Sequence, residues 1–196
     1  GVPALPCRRS AFSKGSNILV KRLAPLVYPI WRGAYHCNHE ELGIIVLAAY
    51  ISKYGPKEKL VIGEVPKPIC GEDDVLVEIH AASLNPIDFK IRDGKIKFLR
   101  SYSFPLILGH DLAGIVVEIG RNVKQFKIGD KVYARPKNGR TGSLAQYIAV
   151  NEKDLAIMPK NLNFQFAASI PLVGLTSWQA LFDVACMQKG HRVFIQ

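Results

Sequence analysis

No stretch of about 18 uninterrupted apolar residues occurs in this chain, the length a helix needs to cross a bilayer. Residues 17–31 come nearest, but Lys21-Arg22 and two prolines break them. Paired cysteines are absent too. Cys7, Cys37, Cys70 and Cys186 stand far apart with no CxxC, which argues against a disulfide framework and a zinc knot. A reducing, cytoplasmic compartment follows as the expectation. No GxGxxG occurs, so the dinucleotide fingerprint is not seen. Acidic residues are in deficit, 16 against 26 Lys and Arg, for a net charge of +10. That excess alone could suggest a polyanion partner. It is spread out: residues 1–45 hold six Lys/Arg and two Asp/Glu, a net of +4, and the other +6 follows the loops. With no Lys/Arg block interleaved with aromatics, the expectation is no nucleic-acid partner and no membrane partner. A basic surface that attracts a phosphorylated cofactor is the simpler reading.

What is present is a globular composition. Apolar residues make up 48% and charged residues 21%, enough for one or two modest domains with a core and too apolar for disorder. Methionine is scarce, and the first is Met158. Residues 1–45 lack turn-bounded alternation and read as an extension: upstream or cloning-derived sequence, a targeting remnant that would make the protein organellar, or a real extra element. His36, Cys37 and His39 could ligate a metal on paper, but no fourth ligand follows at suitable spacing.

From Val46 the pattern becomes regular. Residues 46–52 and 60–65 read as strands around the Tyr54-Gly55-Pro56 turn. Residues 74–84 alternate, with Val75, Val77 and Ile79 on one face and Glu78 and His80 on the other. Pro86 suits the first turn of a short helix through Arg92, which Asp93-Gly94 ends. Residues 112–119, 142–150 and 155–158 read as further strands, and Gly129 as a turn glycine. Many short strands joined by Gly and Pro turns suggest a β-barrel. After Asn161 the texture changes. Residues 164–169 predict a short helix and residues 172–185 a longer one, with Trp178 and Phe182 in its core. Residues 193–196 predict entry into a new strand. Tyr133 and Tyr147 are expected in the barrel.

Five motifs occur in order: Asn85-Pro86-x-Asp88, then Gly109-His110-Asp111-x-Ala113-Gly114, then Val123-x-x-Phe126-x-x-Gly129-Asp130-x-Val132, then Gly142-Ser143-Leu144-Ala145-Gln146-Tyr147, and finally Pro171-Leu172-x-Gly174-Leu175-Thr176-Ser177-Trp178-Gln179-Ala180-Leu181. Together they resemble the medium-chain dehydrogenase/reductase superfamily, and most closely its zinc-independent quinone oxidoreductase and alkenal reductase branch. The resemblance implies an α+β chain: a GroES-like β-barrel catalytic domain over residues 46–160, and the first elements of a truncated Rossmann cofactor domain over residues 161–196.

The same resemblance frames the chemistry. Zinc-containing relatives have a cysteine ligand where Asn85 stands and a His-Glu pair where His110-Asp111 stands. The four-cysteine structural loop they insert before the segment matching Gly142 is missing here. His110 alone is not a zinc site, so neither catalytic nor structural zinc is expected. Without a Lewis acid, conjugated acceptors are easier substrates than simple ketones, because an enolate or quinol oxygen spreads its charge. The implied reaction is NADPH-dependent reduction of a quinone or an α,β-unsaturated carbonyl (enal or enone), with NADH possible. The alternatives are a non-catalytic fragment lacking the cofactor site, and a zinc-free alcohol dehydrogenase-like reductase of another substrate. A homodimer is possible for a full-length protein.

Four residues are candidates for the site. Asn85 could donate an amide hydrogen bond to the acceptor or the nicotinamide, or could cap the helix after it. Asp88 could orient a neighbouring side chain or a ribose, or could meet the helix dipole. His110 could be a donor at the cleft or a satisfied structural residue. The resemblance puts Thr176 at the nicotinamide end of the cofactor; the other reading is a hydroxyl bonded to its own helix. One departure concerns the proton. Enoyl-thioester reductases of the superfamily carry a donating tyrosine two residues past the glycine that matches Gly94. Here that residue is Ile96, which puts acyl-thioester reduction in doubt and leaves the proton to water or another group.

Overall fold

A computed structural model describes residues 43–140 and 142–195. The extension and its His36, Cys37 and His39 lie outside the described residues, apart from its last three positions.

Two antiparallel sheets form the body. The first has three strands, ordered β2 (Leu60–Pro66), β1 (Ile45–Ile51) and β4 (Leu106–Ile107). The second has five, ordered β7 (Tyr147–Asn151), β3 (Asp74–Ser83), β5 (Asp111–Ile119), β6 (Lys131–Ala134) and β8 (Leu155–Ile157). Within the larger sheet sits the main core: Val75, Val77, Leu112, Val116, Val132, Ile148 and Val150, with Phe126 closing one side. The expected alternation along β3 holds only in part. Leu76 is as buried as Val75 and Val77, so both faces of the strand's first half are covered. Further along the sheet, Ala113, Met158, Ala167 and Ala168 form a second cluster with Ala81, Tyr133, Leu162 and Phe164 around it. The short helix α2 (Phe164–Ala168) supplies that cover. Tyr133 and Tyr147 lie in β6 and β7.

α1 (Pro86–Arg92) starts where the sequence predicts, with proline in its first turn, and Gly94 at φ +72° lets the chain leave it. Ile91 anchors α1 to Ile51 and Leu108, with Ile87, Ile96 and Leu144 around them. Gly114 is required by contact: a Cβ there would lie 2.1 Å from the Glu78 carbonyl oxygen on the adjacent strand.

Three expectations are corrected. Residues 142–146 are not a strand. Gly142, at φ +144°, turns the chain so that the Gly142 and Leu144 N–H groups donate to Gly109 and Leu108, while Gln146 N–H donates to Leu47. The segment thus laces β1 to the turn before β5 instead of joining a ladder. The expected long helix over 172–185 is present as one continuous helical run, α3 (Pro171–Trp178) passing without a break into π-helical geometry over Gln179–Val184. Trp178 and Phe182 are not core: they are 59% and 40% exposed and lie against each other, ring centroids 4.5 Å apart. Residues 193–195 form no strand. A strand needs a ladder partner, and none is offered among the described residues.

Candidate active site

The β3–β5 pairing places Ser83 opposite Asp111. Just past the end of β3, Asn85 begins α1; just before β5, Gly109 and His110 turn the chain into the strand. Gly109 has φ +102°, and a Cβ there would meet the Ser143 hydroxyl at 2.3 Å. Only glycine lets this corner pack against the Ser143-Leu144 segment. The result is a layer of polar side chains sealed under the edge of the sheet, with Asn85, Asp88, His110 and Asp111 all 5% exposed or less.

Two carboxylates organise it. Asp88 accepts from three groups: the backbone N–H of Asn85 at 2.8 Å, that of Gly109 at 3.2 Å, and His110 Nδ1 at 2.6 Å. The first is the return half of a capping box, in which the third helical residue holds the residue before the helix. The last fixes the imidazole, with Nδ1 carrying the hydrogen toward the carboxylate. Nε2 has no protein partner among the described residues.

Asp111 is the second centre, and fully buried. It accepts from Asn85 Nδ2 at 2.9 Å, from the Ser83 hydroxyl at 3.1 Å and from the Leu172 N–H at 3.0 Å. Burial pushes the Asp111 carboxyl up from the ordinary carboxylate value, and these three donors and the neighbouring His110 pull against it. Asn85 Nδ2 also lies 3.4 Å from Ser83 Oγ. The amide hydrogen that the sequence reading offers to a substrate is therefore turned inward, toward Asp111 and Ser83. The Asn85 carbonyl Oδ1 faces the Asp88 backbone N–H as the forward half of the same capping box, and its second lone pair has no other partner among the described residues.

Of the four residues singled out in the sequence, Asn85, Asp88 and His110 come together and Thr176 does not. Thr176 lies exposed on α3, its hydroxyl donating to the Leu172 carbonyl at 2.7 Å. The link to the polar layer is indirect, through the Leu172 N–H on Asp111. Asp111 and Ser83 were not chosen as site residues. Their signal was present: Asp111 follows His110 directly, and the register of two strands that both read clearly sets Ser83 opposite it. The reading also misses a gathering of charge. Phe89 to Arg100, which runs from the last turn of α1 through the turns after it, carries five cations and one acid. Among the described residues no three His, Cys, Asp or Glu side chains form a metal-binding group. No described helix is long and apolar enough to cross a membrane.

Comparison with known proteins agrees with this architecture. The family model for the alcohol dehydrogenase GroES-like domain matches residues 71–160. The tomato (Solanum lycopersicum) 2-methylene-furan-3-one reductase is 44% identical over 151 residues, covering 72% of this chain and 38% of that protein. An Arabidopsis thaliana protein named NADPH-dependent alkenal/one oxidoreductase, chloroplastic, is 43% identical over 139 residues, covering 66% of this chain and 35% of its own length. Among solved structures, the quinone oxidoreductase from Coxiella burnetii superposes with a TM-score of 0.66 at 32% identity, over 74% of this chain and 47% of that one. The chain thus spans less than half the length of these relatives. With its domain match, its curled sheet and its ordered motifs, it belongs to the medium-chain dehydrogenase/reductase superfamily, on the side of the quinone oxidoreductases and alkenal reductases.

Proposed function

We propose that this chain is the catalytic part of a zinc-independent, NADPH-dependent reductase of quinones or α,β-unsaturated carbonyls. The observation that carries the reading is the buried polar layer, which fixes the Asn85 amide between Asp111 and the start of α1 and leaves His110 Nε2 without a protein partner among the described residues. Residues 46–160 form the catalytic domain in this reading, and residues 161–196 lead into the cofactor domain.

The residues present fit a nicotinamide better than a metal. At the position where zinc-containing relatives place a thiolate stands an amide, committed to Asp111, and the Nδ1 of His110 is held by Asp88. A soft, closed ligand set is not on offer. A carboxamide or ribose hydroxyl, by contrast, needs an acceptor, and Asn85 Oδ1 is a fixed one. Asp111 orients it, and the Leu172 N–H on Asp111 ties that orientation to the start of α3, the helix that carries Thr176.

A bound reduced nicotinamide supplies the hydride. The chain's own residues handle position and proton. Asn85 holds the cofactor or acceptor edge. His110, entering the step as an imidazolium whose Nδ1–H is held by Asp88, gives its Nε2 proton to the α-carbon of the enolate or to the quinol oxygen and is left neutral with its hydrogen on Nδ1. That supplies what Ile96 cannot.

In the whole protein, NADPH oxidation followed with a quinone and an enal tests the reading. Turnover with one of them that survives a chelator is the expected outcome. Asn85→Ala should lower kcat/KM by about a hundredfold, the scale for one oriented hydrogen-bond partner. His110→Gln should lower kcat with the enal by about a hundredfold or more, as general acids do. Absence of turnover with both acceptors, or activity lost to the chelator, would overturn the proposal.

A further inference from the structure

The lip that follows α1 is built unlike the rest of the surface. Its tip is Phe98 and Leu99, each 89% exposed, and Phe89 on α1 stands 45% exposed beside the same run. Around them come Lys90, Arg92, Lys95, Lys97 and Arg100, with Asp93 the single acid. Asp93 is already engaged, by Arg92 at 2.8 Å and Lys95 at 3.7 Å. Lys97 lies over the Phe98 ring, 5.4 Å from its centroid.

This tip is held in place. Lys97 N–H donates to Gly94, and the Leu99 and Arg100 N–H groups to Ile96. Ile96 itself is pinned below, against the cluster of Ile51, Ile91 and Leu108. Two large apolar side chains are therefore exposed on a closed turn that Lys95, Lys97 and Arg100 flank in sequence, with Lys97 over the Phe98 ring. Leaving them there is unfavourable, and the turn bonds prevent their retreat into the core.

We propose that this lip docks on an anionic phospholipid surface, Phe98 and Leu99 entering the headgroup–acyl boundary while Lys90, Lys95 and Lys97 meet the phosphates. Apolar tips ringed by Lys and Arg are the chemistry such surfaces select. The charge complementarity favours a membrane over RNA. A base could stack on Phe98, but Leu99 would gain nothing from it. The inference revises the expectation of no membrane partner: contact is peripheral and needs no spanning helix. It stands on the lip alone and does not depend on the reductase chemistry.

Co-sedimentation of the whole chain with phosphatidylcholine vesicles, with and without phosphatidylglycerol, tests it. Binding is expected only with phosphatidylglycerol and should weaken as salt is raised. Lys95→Glu/Lys97→Glu should weaken it about 25-fold or more, at about fivefold per cation lost. Phe98→Ser/Leu99→Ser should weaken it at least about tenfold at unchanged charge. Both pairs lie in solvent, so the thermal unfolding midpoint should stay where it is. As a separate readout, Phe98→Trp should show an emission blue shift with phosphatidylglycerol vesicles. No retention on those vesicles, equal retention of both double variants, or binding to polyuridylate without vesicle binding would each overturn the proposal.

Discussion

The polar layer under α1 and the helical stretch after α2 treat their residue types in opposite ways. In the first, four polar side chains are sealed from water and nearly every hydrogen-bonding group has a named partner. In the second, apolar side chains are left uncovered by the described residues: Val173, Leu175 and Trp178 are each half exposed or more. Local sequence separates the two poorly, since Asn-Pro-x-Asp and a Leu/Val/Trp helix could each be inside or outside. Packing decides. Strands β3 and β5 close over the first region, whereas α3 is apolar on all sides and is held, among the described residues, chiefly by its first turn. The described residues cover the two regions to different extents, and in this chain they should respond to mutation accordingly.

Asp88→Ala should give the largest effect. It strands the imidazole hydrogen of His110 and two backbone N–H groups in a buried site, a loss of about 3–5 kcal/mol by analogy with broken buried pairs. Urea unfolding measures it. A loss under about 1 kcal/mol would mean that water reaches the layer, and the contrast between the regions would fail.

Asp111 sharpens the contrast through pH. Its carboxyl is raised in the folded chain, so between the ordinary aspartate value and the folded value the native state holds more proton than the unfolded state. Its contribution to stability is fully present below the unfolded pKa and is lost as pH rises through the folded one. Asp74 runs the other way: the hydrogen bond from Arg140, 2.8 Å from Nη1, lowers its pKa, so its stabilisation is present above the unfolded value and lost as pH falls. The two slopes oppose each other in wild type. Asp111→Asn should remove one of them, leaving a steeper loss of stability toward acid. Urea midpoints across the acid range test this, and an unchanged profile would show that Asp111 titrates as it does when unfolded.

Much of this was legible in the sequence, and the failures have a common cause. β5 reads clearly because Leu112, Ala113 and Val116 form an apolar run closed by Gly120, and α1 because Pro86 and Gly94 bracket it. The pairing of Asn85 with Asp88 follows from spacing alone, as a helix start. That His110 joins them does not, since it stands 22 positions after Asp88 and only the fold brings them together. Nor does the sense in which the Asn85 amide points, which Asp111 sets from the neighbouring strand. Where the reading failed, at residues 142–146, at the core placement of Trp178 and Phe182, and at residues 193–195, the local pattern was sound but the partner elements decided. Gly142 donates across to Gly109, α3 meets packing at one end, and residues 193–195 find no strand to pair with.

The helical region makes a smaller prediction. Trp178→Ala removes a ring that touches chiefly Phe182 and stays 59% exposed, so its loss should be about 1 kcal/mol or less. Leu112→Ala, in the closed core, should cost about 2–5 kcal/mol. If the two were equal by urea unfolding, the exposed reading of α3 would be wrong.

Thr176→Ala should have the smallest effect on stability and is the most informative about role. Its hydroxyl bonds back to Leu172 within the helix, an arrangement that contributes little or slightly bends the helix, so stability should shift by no more than about 0.5 kcal/mol. If the hydroxyl also serves the nicotinamide, as the resemblance implies, NADPH affinity in the whole protein should fall several-fold in Thr176→Ala and recover in Thr176→Ser, which keeps the hydroxyl. A residue that merely completes its own helix would move neither. Affinity lost without stability lost would place function on the exposed helix, so the sealed layer would be the frame that orients Asn85 and His110, and α3 the open surface on which the cofactor is met.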